Sequence, residues 1–349
     1  SDTPADNFFV EADFRGAFKE QNWLMGWTQL DDLGYLADPA PVATSDVAVT
    51  ANITSDTTWT KDKAYLLDKA IFVTNNATLT IEPGTHIYGS ENFDDATFGS
   101  LVITRGSKIE AVGTCKEPIV FTALDERDAG PLTLDDSSLW GGLIILGRAI
   151  LNDAGNPFLG GNTLNERFIE GFPTGGDQAL ITYGGLDDND DSGTLRYVSI
   201  RYGGFEFQTD EEINGLTLGA VGDGTDISFV EVFNNSDDGV EFFGGTVDTH
   251  HMAMAFNEDE SFDIDQGYRG RGQFWFAIQK NGGADGLGTG SNFGGEHDGG
   301  DSPDKTLEPF ARSKVFNATF IGAGASATNY GQDNGAFRLK ENFAGQYHN

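Results

Sequence analysis

Two adjacent aspartates, Asp237 and Asp238, lie in the stretch NNSDDGVEFFGG, and two adjacent histidines, His250 and His251, follow shortly after them. Paired carboxylates with a nearby histidine can act as the acid and base of a sugar-cleaving enzyme. Aspartates beside glycine are also typical of a turn between strands, where their oxygens accept backbone N–H groups. The sequence favours the turn, and catalysis by these four residues is the alternative.

A second acidic stretch, LDDNDDSG, holds Asp188, Asp190 and Ser192 at alternating positions before a glycine. Oxygen ligands at alternating positions are the beginning of an EF-hand loop, which wraps them around Ca²⁺. The twelfth position of such a loop would be Ser199 instead of glutamate, so a complete EF-hand is excluded. A partial calcium loop and a solvated acidic loop both fit this stretch.

A third acidic set consists of Glu241, Asp263 and Asp265, in the strand-like stretches VEFF and FDID. If the apolar residues of these stretches face inward, the carboxylates face outward, and stacked strands lie roughly 4.8 Å apart. Like charges at that spacing destabilise each other unless a cation or an arginine intervenes, and Arg269 and Arg271 are the nearest arginines in sequence. We therefore predict Ca²⁺ at this set, at the 186–193 loop, or at both.

Aromatic residues predict a second kind of site. If Phe274 and Phe276 face inward, alternation places Trp275 outward, and the same parity places Phe233 outward. Exposed rings stack on sugar faces, so Phe233 and Trp275 are candidate glycan-binding residues. Cover by a loop or by the N-terminal segment is the alternative.

The stretch GGEHDGG contains three further ligand-type residues, Glu296, His297 and Asp298. Three such residues in a row do not converge on one ion without partners from elsewhere in the chain. We interpret this stretch as a structural loop between glycines instead of a metal or catalytic site.

The elements that position these residues repeat along the chain. LTIEPGTHI (79–87) aligns with LVITRGSKI (101–109), and residues 230–245 align with 252–267, both at an offset of 22. The same offset stacks the apolar residues Val230, Met252 and Phe274, and it stacks Asn235, Asn257 and Gln279 as an amide corner. Short alternating strands with glycine corners at this period predict an all-β fold, a parallel β-helix, and the crossover rule makes it right-handed.

This repeat sets the predicted domain organisation. Residues 46–349 are predicted to form the β-helix domain, and residues 1–45 an N-terminal extension or cap with a short helix within 22–33. Residues 124–138 and 160–178 break the register and are predicted to project as loops, which is where solenoids usually carry function.

Charge and cysteine content limit the function classes. The chain has 55 acidic and 21 basic residues and a net charge of -34, which repels nucleic acids and anionic membranes. We exclude nucleic-acid binding. The single cysteine, Cys115, cannot form an intramolecular disulfide and is predicted to be buried. No run of 18 apolar residues is present, so no transmembrane segment is predicted.

Several motifs in order carry a resemblance to a known group: ATLTIEPGTHI, WGGLIILGRAILN, GTLRYVSIRYGG, DDGVEFFGGTV and RGRGQFWFAIQ. From about Val47 to its C-terminus the chain resembles secreted or surface-anchored bacterial right-handed β-helix proteins, which are often lipoproteins. The resemblance implies a secreted or outer-surface location. Activity is not implied, because that group is largely uncharacterised.

Polygalacturonase-like hydrolases share the β-helix, and resemblance to them is partial. They combine an Asp-Asp pair with a further Asp, a His and an Arg-x-Lys element on adjacent coils. Here Asp259 and Glu260 stand one coil after the pair, and Arg269-Gly-Arg271 replaces Arg-x-Lys. A pectate-lyase mechanism needs Ca²⁺ and a basic residue, and the negative charge of this chain opposes an acidic sugar unless metal bridges the two.

The sequence thus predicts an extracellular, calcium-stabilised β-helix protein with a structural, adhesive or carbohydrate-binding role. The alternative is a polysaccharide lyase or glycoside hydrolase. The aromatic segment 14–36 predicts end-to-end assembly into a homo-oligomer or filament if it caps the next copy's last coil. In one alternative, this segment covers the first coils of its own chain and the protein is a monomer. In the other, the chain is one unit of a longer polypeptide.

Overall fold

The computed structural model describes residues 8, 10, 16–18, 22–33, 45–92, 97–152, 165–173, 176–205, 213–281, 291–300, 305–324 and 335–348. Its helices are short: α1 (Gln29–Asp32), α2 (Leu124–Asp128) and a 3-10 turn (Gln178–Leu180). No helix among these residues is long and apolar enough to cross a bilayer. Cys115 is exposed, so the prediction that it is buried is wrong.

Parallel strands form three faces, which the chain visits in the same order in every turn. Face one contains β2 (Thr57–Trp59), β5 (Thr78–Ile81), β10 (Lys108–Val112), the first halves of β15 (Gly193–Arg201), β17 (Asp226–Phe233), β19 (Asp248–Ala255) and β21 (Arg271–Ile278), then β23 (Lys314–Phe316) and β26 (Gln346–His348). Face two contains β1 (Asp46–Ala48), β3 (Ala64–Leu67), β6 (His86–Gly89), β11 (Ile119–Ala123), the second halves of β15, β17, β19 and β21, and β24 (Thr319–Ile321).

Face three contains β4 (Ala70–Val73), β9 (Ser100–Ile103), β12 (Leu143–Leu146), β16 (Leu216–Gly219), β18 (Val240–Phe243), β20 (Phe262–Asp265), β22 (Phe293–Asp298) and β25 (Gly335–Lys340). Two antiparallel pairs project from the corners: β7 (Glu91–Asn92) with β8 (Thr97–Phe98), and β13 (Glu166–Phe168) with β14 (Thr182–Gly184). The predicted parallel β-helix is confirmed, and its right-handed sense is the one that parallel crossovers strongly prefer.

The interior is a set of apolar columns, one residue from each strand. Face three has one such column, fully buried throughout: Ile71, Leu101, Leu143, Leu216, Val240 and Phe262. Each residue packs on the turn before and the turn after it, so burial in this fold depends on stacking of neighbouring turns.

The four long strands β15, β17, β19 and β21 bend from face one to face two at one residue each. These residues have left-handed backbone conformations with φ between 50° and 59°: Tyr197, Phe229, His251 and Phe274. Their rings contact each other from turn to turn, with centroid distances of 4.4, 4.2 and 4.7 Å in that order; the first two pairs are stacked and the third is tilted. Bulky residues rarely adopt this conformation. The ring stacking, which we call the bend ladder, offsets part of that cost.

The coil length varies, and this overturns two predicted alignments. Val230 pairs with Met252 at the predicted 22 residues, but Met252 pairs with Trp275 instead of Phe274. Near the N-terminus, Leu79 pairs with Ile109 and not with Leu101. The alignment of 79–87 with 101–109 is therefore wrong, because it matched strands of two different faces that share one strand-and-glycine pattern.

The register shift places Trp275 in the interior, and the prediction that it faces outward is wrong. Trp275 is fully buried and stacks on Phe262 with a centroid distance of 4.2 Å. Phe233 is also fully buried, against Tyr202 and Phe256. A shift of one residue moves a strand side chain to the opposite side. Neither ring is placed to stack on a sugar.

The N-terminal segment lies along the side of the β-helix. The Ala17 N–H donates to Thr319 Oγ1 at 2.8 Å, and the Gln29 N–H donates to Glu231 Oε2 at 2.6 Å. The segment therefore covers middle and late coils of its own chain, and the prediction that it covers the first coils is wrong. Parts of the predicted capping segment, at 14–15, 19–21 and 34–36, lie outside the described residues. End-to-end assembly stays a prediction.

Candidate metal centre

The corner between face two and face three positions Asp238. Asn235 Nδ2 donates to the Asp238 carbonyl oxygen at 3.0 Å, and the Asn235 N–H donates to Asn257 Oδ1 at 3.0 Å. Asp238 Oδ1 accepts the Glu260 N–H of the next corner at 2.8 Å. The predicted turn and its Asn235–Asn257 contact are confirmed, whereas Gln279 donates to Asn292 instead.

Three carboxylates meet where this corner enters face three. Glu241 and Asp263 are register partners on β18 and β20, on the side opposite the apolar interior. One oxygen from each of Asp238, Glu241 and Asp263 lies within 4.8 Å of the others. We call these three residues the carboxylate cluster. Asp237, Asp238 and Asp259 form a second group by the same distance, so Asp238 belongs to both.

Two residues of the carboxylate cluster are buried, the third is partly exposed, and the pKa values of all three are raised. Asp238 and Glu241 are 4% and 8% exposed. Burial, and then the neighbouring carboxylates, raise the pKa of each cluster residue well above its ordinary value. Burial and Asp259 likewise raise the pKa of Glu260 to about 10. Buried carboxyl groups so close together must bind protons or a cation.

Positive side chains neutralise face three elsewhere. Glu296 pairs with Arg338 at 2.9 Å and Asp298 with Lys340 at 3.1 Å, both on the last coils. In the part of the chain that the structure describes, no lysine or arginine forms an ion pair with the carboxylate cluster.

Two oxygen atoms at the cluster lack hydrogen-bond donors among the described residues. Asn214 is 1% exposed, its Nδ2 donates to Glu241 Oε2 at 2.7 Å, and its Oδ1 has no partner. Asp263 Oδ1 is also buried without a partner. Carboxylate and amide oxygens together are the ligand set that Ca²⁺ prefers.

Sequence reasoning did not include Asn214 or Asp238 in a candidate metal site. Their shared signal was position, because both stand two residues before the first face-three residue of their turn, Leu216 or Val240. Of the predicted set Glu241, Asp263 and Asp265, the structure brings only the first two together. Asp265 lies on β20 and accepts the Gln266 N–H at 2.6 Å, outside the three-oxygen group.

The 186–193 loop is satisfied by protein donors. Asp188 Oδ1 accepts Arg269 Nη2 at 2.6 Å and the Ile150 N–H at 3.0 Å. Asp190 Oδ2 accepts Ser192 Oγ at 3.1 Å, and burial raises the pKa of Asp190. The guanidinium stands where a cation was predicted, so this loop carries less support for Ca²⁺ than the cluster.

The four candidate catalytic residues separate into two environments. His251 lies in the bend ladder with the Trp23 ring 5.0 Å away, and burial lowers its pKa to about 3. His250 stacks on Phe8 at 4.2 Å. The structure thus packs both histidines beneath the N-terminal segment, whereas Asp238 and Asp237 belong to the carboxylate groups described above.

The stretch GGEHDGG is a strand, and its prediction as a loop is wrong. It supplies β22, in which Glu296 pairs with Asp263 of the previous turn and His297 with Ile264. His297 is fully buried and its Nε2 lies 2.7 Å from Tyr347 Oη. Alternation explains the pattern, because His297 takes the interior position between two outward carboxylates.

Residues 51–349 match the family model of the pectate-lyase-like β-helix domain. The chain belongs to this family. No curated protein and no solved structure matches it. In this pectate-lyase-like β-helix domain the candidate metal centre lies on the outer side of face three, at a corner between parallel strands.

Proposed function

We propose that this pectate-lyase-like β-helix protein is a calcium-stabilised, extracellular glycan-binding protein without catalytic activity. The observation that carries the calcium proposal is the carboxylate cluster, in which three oxygens lie within 4.8 Å of each other. Domains of this family are often extracellular, and their fold is compatible with carbohydrate ligands.

The cluster offers unmet oxygens as ligands. Asn214 Oδ1 and Asp263 Oδ1 are both buried acceptors without a donor among the described residues, so each could coordinate a cation as it stands. One Ca²⁺ would supply positive charge to all of them at once and remove the repulsion between Glu241 and Asp263.

Glycan binding is proposed for the outer side of face three, beside the cluster. The total charge of -34 opposes an acidic glycan, and a bound cation would offset that repulsion locally. Phe233 and Trp275 do not contribute, because both are fully buried. Adhesion and end-to-end assembly remain further proposals for the same surface protein.

A polysaccharide lyase or hydrolase is the alternative function. Two observations support this alternative: the family to which the chain belongs, and the raised pKa values of Asp238 and Glu241. Against it, Asp238 is 4% exposed and the two histidines are packed on aromatic rings. A glycan would not reach these residues in the described arrangement.

Calorimetric titration of the full chain with Ca²⁺ tests the proposal. We expect a binding isotherm for the wild type and at least a tenfold weaker one for Asp263→Asn, which removes a ligand charge while keeping side-chain size. Asp135→Asn is the matched control, since Asp135 is an exposed turn residue. Equal Ca²⁺ binding by the wild type and Asp263→Asn would show that the cluster is not the site.

A further inference from the structure

The outer side of face three changes from apolar to acidic along the β-helix. Register pairs define one outward column across six strands: Phe72, Val102, Ile144, Thr217, Glu241 and Asp263. Val102 and Ile144 alternate with interior residues and therefore point away from the interior. They are still 0% and 1% exposed. A segment outside the three faces must cover them.

The cover is a segment whose described residues 165–173 and 176–184 we call the excursion, and it contains β13 and β14. Its apolar residues pack against the sheet in a second core, which is separate from the interior of the β-helix. The excursion contributes four of these residues: Ile169, Phe172, Ile181 and Tyr183. The sheet contributes four outward residues: Val102, Ile144, Leu146 and Phe243.

Gly219 shows how closely the excursion approaches face three. It stands between Leu146 and Phe243 in the neighbouring outward column. A Cβ added at Gly219 would lie 2.9 Å from Tyr183 Cγ, which is closer than such atoms normally approach. Because glycine carries no side chain, the Tyr183 ring fits directly against the strand. The excursion is therefore docked on the sheet.

The docked excursion reaches the two strands that carry the carboxylate cluster. The Tyr183 ring lies 5.9 Å from the Phe243 ring on β18. Tyr183 Oη donates to Gln266 Oε1 at 2.9 Å, and Gln266 directly follows β20. These two strands hold Glu241 and Asp263. The edge of the second core and the carboxylate cluster are therefore neighbours.

The second core positions Asn214 beside the cluster. Ile213, the preceding residue, is 2% exposed and belongs to the second core. Asn214 itself is 1% exposed, and its Nδ2 donates to Glu241 Oε2 at 2.7 Å. Its Oδ1 is buried without a hydrogen-bond donor among the described residues. An unmet oxygen thus lies at the boundary between the excursion and the cluster.

The excursion also brings a fourth carboxylate to this boundary. Glu170 directly follows Ile169, which is 3% exposed in the second core, whereas Glu170 is exposed. After burial, the charge of Glu170 contributes most to raising the pKa of Glu241. Glu170 therefore faces the cluster from the excursion side.

We propose that Glu170 is a further ligand of the cation bound by the carboxylate cluster, so that Ca²⁺ fastens the excursion to face three. This inference rests on the calcium site proposed above. Glu170 lies outside the group of oxygens within 4.8 Å of each other, so its exposed side chain rotates toward that group when the ion binds. Carboxylate and amide oxygens are the ligands that Ca²⁺ takes in sets of about six to eight, with water completing the set.

Repulsion and coordination act on the same contact. Ionised Glu170 and Glu241 repel each other across the boundary between the excursion and β18, and this repulsion opposes docking of the excursion. A shared cation replaces the repulsion with attraction to both carboxylates. By linkage, if the ion tightens docking of the excursion, docking tightens binding of the ion by the same factor. Ca²⁺ affinity and protection of the excursion should therefore change together.

Calorimetric titration of the full chain with Ca²⁺ tests Glu170 as a ligand. We expect binding by Glu170→Gln to be about tenfold weaker than binding by the wild type. The variant should fold, because Glu170 is exposed. Asp177→Asn is the matched control, since Asp177 is an exposed carboxylate of the same excursion and accepts the Ala179 N–H. Wild-type affinity in Glu170→Gln, or an equal loss in Asp177→Asn, overturns the inference.

Hydrogen exchange measured by mass spectrometry tests the fastening. At one pH, amides of the wild-type excursion should exchange about tenfold more slowly in saturating Ca²⁺ than in chelator. Amides of β5, on face one of an early turn, are the internal control for stabilisation of the whole β-helix. In Glu170→Gln, with enough Ca²⁺ to saturate the variant, slowing in the excursion should be clearly smaller than in the wild type. Slowing in the wild-type excursion that does not exceed that in β5 contradicts the inference.

The outcomes also separate this inference from the proposed calcium site. If the wild type does not bind Ca²⁺, both are wrong. If the wild type binds Ca²⁺, and Asp263→Asn weakens binding while Glu170→Gln does not, the calcium site is supported and only the fastening of the excursion is wrong.

Discussion

Glu241 and Asp263 are direct register partners on neighbouring strands of face three, with carboxylate oxygens within 4.8 Å of each other and of Asp238. Such an arrangement is unfavourable for three charges, two of which, on Asp238 and Glu241, are buried. It becomes favourable when a cation is shared among them. The stability of the whole β-helix should therefore depend on divalent cations, since each turn stacks on the next.

Removal of Ca²⁺ should lower the melting temperature of the full chain by several degrees. A ligand at one hundred times its dissociation constant stabilises the folded state by about 2.7 kcal/mol. Differential scanning calorimetry in excess Ca²⁺ and in excess chelator measures the difference. Asp263→Asn should show a clearly smaller difference between the two buffers than the wild type, because its Ca²⁺ affinity is weaker. Identical wild-type curves would contradict a stabilising site.

Without divalent cations, stability should decrease as pH rises. Burial raises the pKa values of Asp238, Glu241 and Asp263 in the folded state, and that of Glu260 to about 10. Because the pKa values are higher in the folded state, protonation of these groups stabilises the folded state. This stabilisation is complete below the unfolded-state pKa values of about 4, and it is lost as pH rises through the folded-state pKa values.

Urea unfolding in chelator at pH 5, 7 and 9 measures this dependence, and saturating Ca²⁺ should flatten it, because the cation competes with protons for the same oxygens. Glu260→Gln should have a shallower dependence in chelator than the wild type. Unfolding midpoints that increase from pH 5 to 9 in chelator would mean that repulsion among the ionised carboxylates of the cluster does not destabilise the folded state.

Asp188→Asn should leave Ca²⁺ affinity unchanged. Asp188 already pairs with Arg269, so its charge is neutralised by the protein. Loss of this half-exposed pair should cost about 1 kcal/mol of unfolding free energy. Calorimetric titration of Asp188→Asn and of Asp263→Asn with Ca²⁺ shows which of the two candidate sites binds the ion. A tenfold loss of affinity in Asp188→Asn would restore the 186–193 loop as a calcium site.

Trp275→Ala should destabilise the β-helix by about 3–5 kcal/mol, because it leaves a cavity beside Phe262 and removes the hydrogen bond from Nε1 to Thr249 Oγ1. Trp275→Phe should cost less. Leu186→Ala is the control, since Leu186 is 75% exposed and should change little. Urea unfolding checks all three, and a near-neutral Trp275→Ala would contradict the interior position.

No turnover of polygalacturonate is expected, with or without Ca²⁺. Asp238 is occupied in the carboxylate cluster, and His250 and His251 contact aromatic rings instead of a cleft. Release of unsaturated or reducing ends is the measurement. Turnover in the wild type that disappears in Asp238→Asn would establish the alternative, enzymatic function.

Local pattern was sufficient for the fold and for half of the candidate site. Alternating strands, glycine corners and the 22-residue offset predict a parallel β-helix, because every turn must present the same inward positions to its neighbours. The same offset predicts that Glu241 and Asp263 are neighbours, and their pairing confirms it. These relationships are visible in sequence because they lie within one turn of the solenoid.

Tertiary structure decided what the period does not encode. One extra residue between Met252 and Trp275 turned the tryptophan inward, because strand parity reverses with each inserted residue. Corner contacts brought Asp238 and Asn214 to the cluster, and Gln29 of the N-terminal segment contacts Glu231, 202 residues further along the chain. Contacts between a solenoid and a segment outside its repeat have no periodic signal, so only the folded chain shows that Glu231 is covered.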